Sequence, residues 1–216
     1  NENWSFCRTK IDNYRGWIEN KFLNNLPNFT HVISTLSTFI YEKPDYKSKN
    51  LNTLFLNSKI KVLDMDETWA KINFQEKKIG YIFVKHISSG FKKKNNWINL
   101  AKEFVSSPYS WGGKTCKGID CSGLVQSCLQ YVDFPFPRNS VDQQKFNSPS
   151  ITDISYIEKG SLIFWKGHVA IGISSKKIIH SNIFHMSVKI ESFDDANKRL
   201  KDICGNVLCI RQLNIK

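Results

Sequence analysis

The 216-residue sequence has no run approaching eighteen apolar residues, which argues against a helix that crosses a membrane. Nor does it open on a secretory leader, because its first twenty residues carry Glu, Arg, Lys and Asp where an apolar stretch would be needed. It begins at Asn1 rather than at a methionine, so it reads as a piece of a longer chain whose leader, if any, stays open. Acidic residues are scarce: 19 Asp and Glu stand against 31 Lys and Arg, a formal net charge of +12. Such a surface suits anionic cell-wall polymer, anionic lipid or nucleic acid. Nucleic acid would rest on charge alone and is not expected as a partner, and the Lys and Asn bias of an AT-rich genome explains the charge equally well. The densest run, Lys92–Lys94, reads as a solvated linker between two modules. A disulfide framework is also missing, since Cys7, Cys116, Cys121, Cys128, Cys204 and Cys209 are scattered. Cys116 with Cys121 and Cys204 with Cys209 leave a four-cysteine zinc site to consider. Cys128 and Cys209, however, fall in apolar-periodic segments that read as core, so no metal and no organic cofactor is expected. What is present is ample for folding: 41% hydrophobic and 13% aromatic residues, enough for one enzyme domain plus a smaller module.

The most telling stretch runs from Tyr109 to Val125, where a glycine-rich loop leads into Cys121. From Cys121, the apolar residues Leu124, Val125, Cys128, Leu129 and Val132 recur at the spacing of one buried helical face. That spacing predicts a helix over about 121–132 with Cys121 in its first turn, facing inward. Unpaired N–H groups and the dipole at a helix N-terminus favour a thiolate, so a lowered thiol pKa is expected there. A cysteine nucleophile also needs a base, and a third group to orient that base. The segment Gly160 to Ile173 reads as strand, Lys-Gly turn and strand, with His168 at the mouth of the hairpin. His180 follows twelve residues later on the next short strand, close enough for the two imidazoles to lie side by side. His185 is an alternative third member, whereas His31 and His86 lie in the N-terminal region and read as chemically idle.

These residues resemble the NlpC/P60 cell-wall peptidases, which have a compact papain-like fold. The resemblance covers roughly residues 97–213 and follows the family order: an opening helix, Pro108 and Tyr109 before Trp111-Gly-Gly113, Asp120-Cys-Ser-Gly123, the segment around His168, then His180. It implies Cys121 as nucleophile, His168 as base, His180 as the orienting third residue and Tyr109 as a polarising hydroxyl. It further implies substrate contacts from Trp111, Asp120, Ser122, Arg138, Ser140 and Gln143. For Asp120 a helix N-cap is the competing role, and for the last three simple capping and turning of a short helix. One departure from the family pattern is Ser161, where members often have Asp, which bears on the local turn more than on catalysis.

Upstream, residues 28–90 read as a small β-barrel with strands near 37–41, 59–63, 69–73 and 80–84, similar to bacterial SH3 domains. Trp4 to Gly16 echoes Trp69 to Gly80, so residues 1–27 read as the C-terminal part of a truncated first SH3-like domain. The alternative is that they add strands to the barrel that follows. Residues 91–216 form the catalytic domain, and the fold class is α+β with the all-β module or modules in front. This order is most similar to alphaproteobacterial members of the family. The function implied is a cysteine endopeptidase acting on peptidoglycan stem peptides, at the γ-D-glutamyl–diamino acid bond, as a monomer. An amidase or acyltransferase on the same fold and a non-catalytic wall-binding protein are the alternatives. Location is open between a cytoplasmic recycling enzyme and the cell envelope.

Overall fold

The computed structural model describes residues 2–23, 28–74, 78–90 and 97–215, so the Lys92–Lys94 run lies outside the described residues. The chain divides into two units, Asn1–Thr9 with Arg15–Lys92 and Lys10–Tyr14 with Lys93–Lys216. In the first, β1 (Trp4–Arg8) and β2 (Arg15–Glu19) pair antiparallel as a two-stranded sheet of their own. Phe6 and Trp17 meet across that pair at 5.3 Å between ring centroids. Seven further strands form one antiparallel sheet: β3 (His31–Ile33), β4 (Ser37–Tyr41), β5 (Asn50–Phe55), β6 (Lys59–Met65), β7 (Trp69–Phe74), β8 (Lys78–Phe83) and β9 (Ile87–Ser88). Their order is β5-β4-β8-β7-β6-β3-β9. Alternation sends Ile40, Ala70, Ile72 and Ile82 inward to meet Ile33, Ile60 and Ile87 in a single core. The hairpin of residues 4–19 is not a strand pair of this sheet.

The second unit is α+β. Its helices are α1 (Trp97–Glu103), α2 (Cys121–Tyr131), α3 (Ser140–Gln144) and α4 (Phe193–Cys204). A two-stranded ribbon, β10 (Lys114–Thr115) with β11 (Gly118–Ile119), leads into α2. The main sheet comprises β12 (Ser150–Ile151), β13 (Leu162–Trp165), β14 (His168–Gly172), β15 (Lys177–Asn182), β16 (Ser187–Ser192) and β17 (Cys209–Arg211), ordered β12-β17-β13-β14-β15-β16. β13 and β14 are buried throughout, which is why they read as near-continuous apolar runs. Helix α2 packs on β14 and β15, and α1 packs on α2. Ile163, Trp165, Ala170 and Ile178 share a cluster with Phe193, Ala196 and Leu200 of α4. α4 runs from a Ser192 cap that accepts from the Asp195 N–H to Gly205 at φ +81°. The Ser161 departure is absorbed locally, because its buried hydroxyl accepts from the Glu158 N–H and the Gln212 amide.

Candidate active site

Helix α2 begins as its spacing predicts. Asp120 is the N-cap, its Oδ1 accepting from the Gly123 N–H at 2.7 Å, and Leu124, Val125, Cys128 and Leu129 are buried beneath. Two backbones meet at this helix end. A Cβ on Gly123 would lie 2.4 Å from the Gly113 carbonyl oxygen, and one on Gly113 would lie 2.4 Å from that of Gly118. The glycines that look like loop punctuation are therefore what lets the loop lie against the helix start. Arg138 closes the arrangement. Its Nη2 donates to Asp120 Oδ2 at 2.7 Å and to the Gly113 carbonyl, and its Nη1 donates to Asp120 Oδ1 and to Ser122 Oγ.

Cys121 is buried at the base of a cavity of about 130 Å³ that is also lined by Tyr109, Trp111, His168 and His180. His168 is the first residue of β14, immediately after the Lys-Gly turn, whose Gly167 has φ +75°. Its Nε2 lies 2.8 Å from Nδ1 of the fully buried His180, with ring centroids 5.0 Å apart. Beyond His180, its Nε2 is 2.6 Å from Glu191 Oε1, and Arg199 Nη2 of α4 donates to the same oxygen at 2.7 Å. Neither Glu191 nor Arg199 was singled out by sequence. His185, the rival for third place, instead bonds Asn182 through both its backbone N–H and Nδ1, and stands 3.8 Å from Glu191.

The expected thiolate is not the resting form. Burial pushes the Cys121 thiol up to about 11, and the neighbouring Asp120 charge adds to this, against N–H groups of Val169, Ser122 and Cys121 itself that pull the other way. Burial likewise takes His168 down to about 3, helped by His180, although Glu191 opposes the shift. Helix polarity is outweighed by desolvation, and the pair rests as thiol and neutral imidazole. Burial would raise Glu191, but hydrogen bonds from His180 and Arg199 prevail and hold it at about 2, a carboxylate.

The expected substrate contacts divide. Trp111 is 87% exposed at the lip of the cavity. Gln143 is wholly buried, donating to the carbonyls of Ser122 and Pro137, so it braces α2 and is out of reach of a substrate. Asp120, Ser122 and Arg138 bond one another as described, and Ser140 opens α3, half-buried. None of these five lines the cavity. Elsewhere on α2, the buried Gln126 donates to Asp12 at 2.6 Å and Lys114 donates to Gln130, two contacts that no sequence motif announced. All six cysteines are free, and no group of three or more His, Cys, Asp or Glu positioned to hold a metal occurs among the described residues.

A buried cysteine at a helix start, a histidine pair on adjacent strands and a sheet packed on that helix define a cysteine hydrolase of papain-like design. Residues 106–202 match the model of the NlpC/P60 family and residues 35–88 that of the bacterial SH3 domain, so the chain carries an NlpC/P60 domain preceded in sequence by a bacterial SH3 domain. Among curated relatives, dipeptidyl-peptidase 6 of Lysinibacillus sphaericus is 27% identical over 196 residues, covering 85% of this chain and 72% of that one. A γ-D-glutamyl-L-lysine dipeptidyl-peptidase of Bacillus cereus is 26% identical over 202 residues, covering 83% of this chain and 60% of that one. Its Bacillus subtilis namesake is 24% identical, covering 92% and 70%. Among solved structures, an NlpC/P60 family protein from Bacillus cereus superposes with a TM-score of 0.76 at 21% identity, over 97% of this chain and 78% of that one, a likeness of fold. The alphaproteobacterial likeness drawn from domain order is a matter on which these relatives do not bear.

Proposed function

We propose that this protein is a cysteine endopeptidase that cleaves peptidoglycan stem peptides at the bond between γ-D-glutamate and a diamino acid. One observation carries the reading: Cys121, His168 and His180 line a single cavity with the two imidazoles 2.8 Å apart, in a chain related along most of its length to γ-D-glutamyl-L-lysine dipeptidyl-peptidases. His168 takes the Cys121 proton as sulfur attacks the amide carbonyl. The Cys121 N–H and the Tyr109 hydroxyl stabilise the oxyanion. His168 then gives the proton to the leaving amine, and water, activated by the same imidazole, hydrolyses the thioester and restores the thiol. Trp111 is the substrate contact we retain, with Asp120, Ser122 and Arg138 bracing the start of α2 behind Cys121.

We read residues 28–90 as the SH3-like unit, 91–216 as the peptidase and 1–27 as the end of a preceding SH3-like unit, the whole acting as a monomer. No helix among the described residues is long and apolar enough to cross a membrane. The location, recycling or envelope, follows from whether a free N-terminal alanine is required. Mass spectrometry of defined muropeptides, intact and with the N-terminal alanine freed, tests both points. The parent is expected to cut the γ-D-glutamyl bond and Cys121→Ala to leave every peptide intact. Cleavage at another amide favours an amidase, and no cleavage by folded protein overturns the reading.

A further inference from the structure

We propose that Glu191 is a positioning residue that decides, through His180, which nitrogen of His168 is the base. The inference deepens the peptidase reading and rests on Cys121 being its nucleophile. The geometry is one diagonal row across three strands. Register sets Lys189 of β16 opposite His180, so Glu191, two residues on, shares the His180 face. On the other side, the β14–β15 register that pairs Ile171 with Ile179 makes His168 the diagonal neighbour of His180.

With both imidazoles neutral, as their burial favours, the proton inventory along this row has one solution. Glu191 is a carboxylate and can only accept. Its Oε1 already accepts from Arg199, and at 2.6 Å from His180 Nε2 it requires the proton to be on that nitrogen. A neutral His180 then has its lone pair on Nδ1. That lone pair faces His168 Nε2 at 2.8 Å, so His168 carries its own proton on Nε2. Only Nδ1 of His168 remains to accept the Cys121 proton. The opposite tautomers would set an imidazole lone pair against a carboxylate at hydrogen-bond distance. When His168 becomes imidazolium, the Glu191 charge at the far end of the row stabilises it.

The charged and titratable groups around the row are few. Glu191 faces His180 from β15, Arg199 from α4 and His185 from the turn after β15. Its side chain is only 13% exposed, so solvent screens the row weakly. Arg199 also lies over the Phe184 ring at 4.1 Å and lines the cavity, which ties the end of the row to the cleft wall.

Histidine side-chain ¹⁵N spectra of the free enzyme read the tautomers directly. The parent should show both His168 and His180 as Nε2–H forms; an Nδ1–H form of either ring overturns the proposal without any variant. Glu191→Gln keeps an oxygen acceptor but not the charge, so it should retain the tautomers and lose about 10-fold in kcat. Glu191→Ala should mix the tautomers and lose about 100-fold or more, with KM within about 2-fold. Alkylation of Cys121 by iodoacetamide, followed on its own peptide, should slow in the same order. Unchanged spectra in Glu191→Ala, or a loss confined to KM or to the unfolding midpoint, would sink it. Spectra and alkylation need no substrate, so a parent that cuts no muropeptide refutes the peptidase reading and leaves the relay to be judged by these two readouts.

Discussion

At the residue scale, the Cys121 thiol and the His168 imidazole are both held neutral by burial. The sign of the resulting pH dependence follows. A histidine whose protonated form is disfavoured stays available as a base when pH falls below its ordinary 6.5, and a thiol raised above 9 stays protonated in alkali. The pH–rate profile on a stem peptide should therefore lack an acid limb near 6.5 and extend as a plateau to lower pH, while iodoacetamide labelling of Cys121 climbs only in alkali. A bell centred near neutrality, with both limbs at ordinary values, would contradict the burial argument. Cys121, His168 and His180 were legible because a helical period and a strand-turn-strand pattern give each a place. Glu191 and Arg199 were not, since a charged residue alternating along a strand and another on a charged helix look like solvated faces. Their meeting requires β15, β16 and α4 to be assembled.

Elements impose their own requirements around the nucleophile. The loop before α2 meets the helix backbone to backbone at Gly113 and Gly123, and the buried Arg138–Asp120 pair locks it there. Arg138→Ala would leave Asp120 buried with its strongest donors gone, so we expect a loss of about 3–5 kcal/mol in urea unfolding. Gly123→Ala forces a methyl onto the Gly113 carbonyl and should cost about 1–3 kcal/mol, with a fall in kcat as Cys121 shifts. An unchanged unfolding midpoint in both would show that the loop is slack. Long elements with one clear period, α2 and the buried β13 to β15, could be read from the chain. β5 could not, because Asn50 and Asn52 suppress its strand signal, and β3, β9 and β12 are two or three residues long and exist only through partners distant in sequence. α3, five residues long, emerges from a segment that reads equally well as a turn.

For the whole molecule, each unit has its own apolar cluster, one of isoleucines in the seven-stranded sheet and one between the main sheet and α4. Calorimetric unfolding should then yield an enthalpy larger than its van 't Hoff value, and Ile72→Ala, which empties a buried site in the first cluster, should displace only part of the heat absorption. Equal enthalpies and a uniform displacement would mean a single cooperative block. The two walls of the catalytic cleft differ in what they can tolerate. Where the loop that leads into α2 meets that helix, at Gly113 and Gly123, backbones are in contact, with no room for a new side chain. Facing the cleft from the other side, Ile183, Phe184 and Ile203 are more than half exposed and carry no share of the core. Mutational drift is therefore freest at Ile183 and Ile203, since Phe184 also holds Arg199: descendants of this chain can acquire new substrate preferences by exchanging those two side chains while the chemistry opposite them stays frozen.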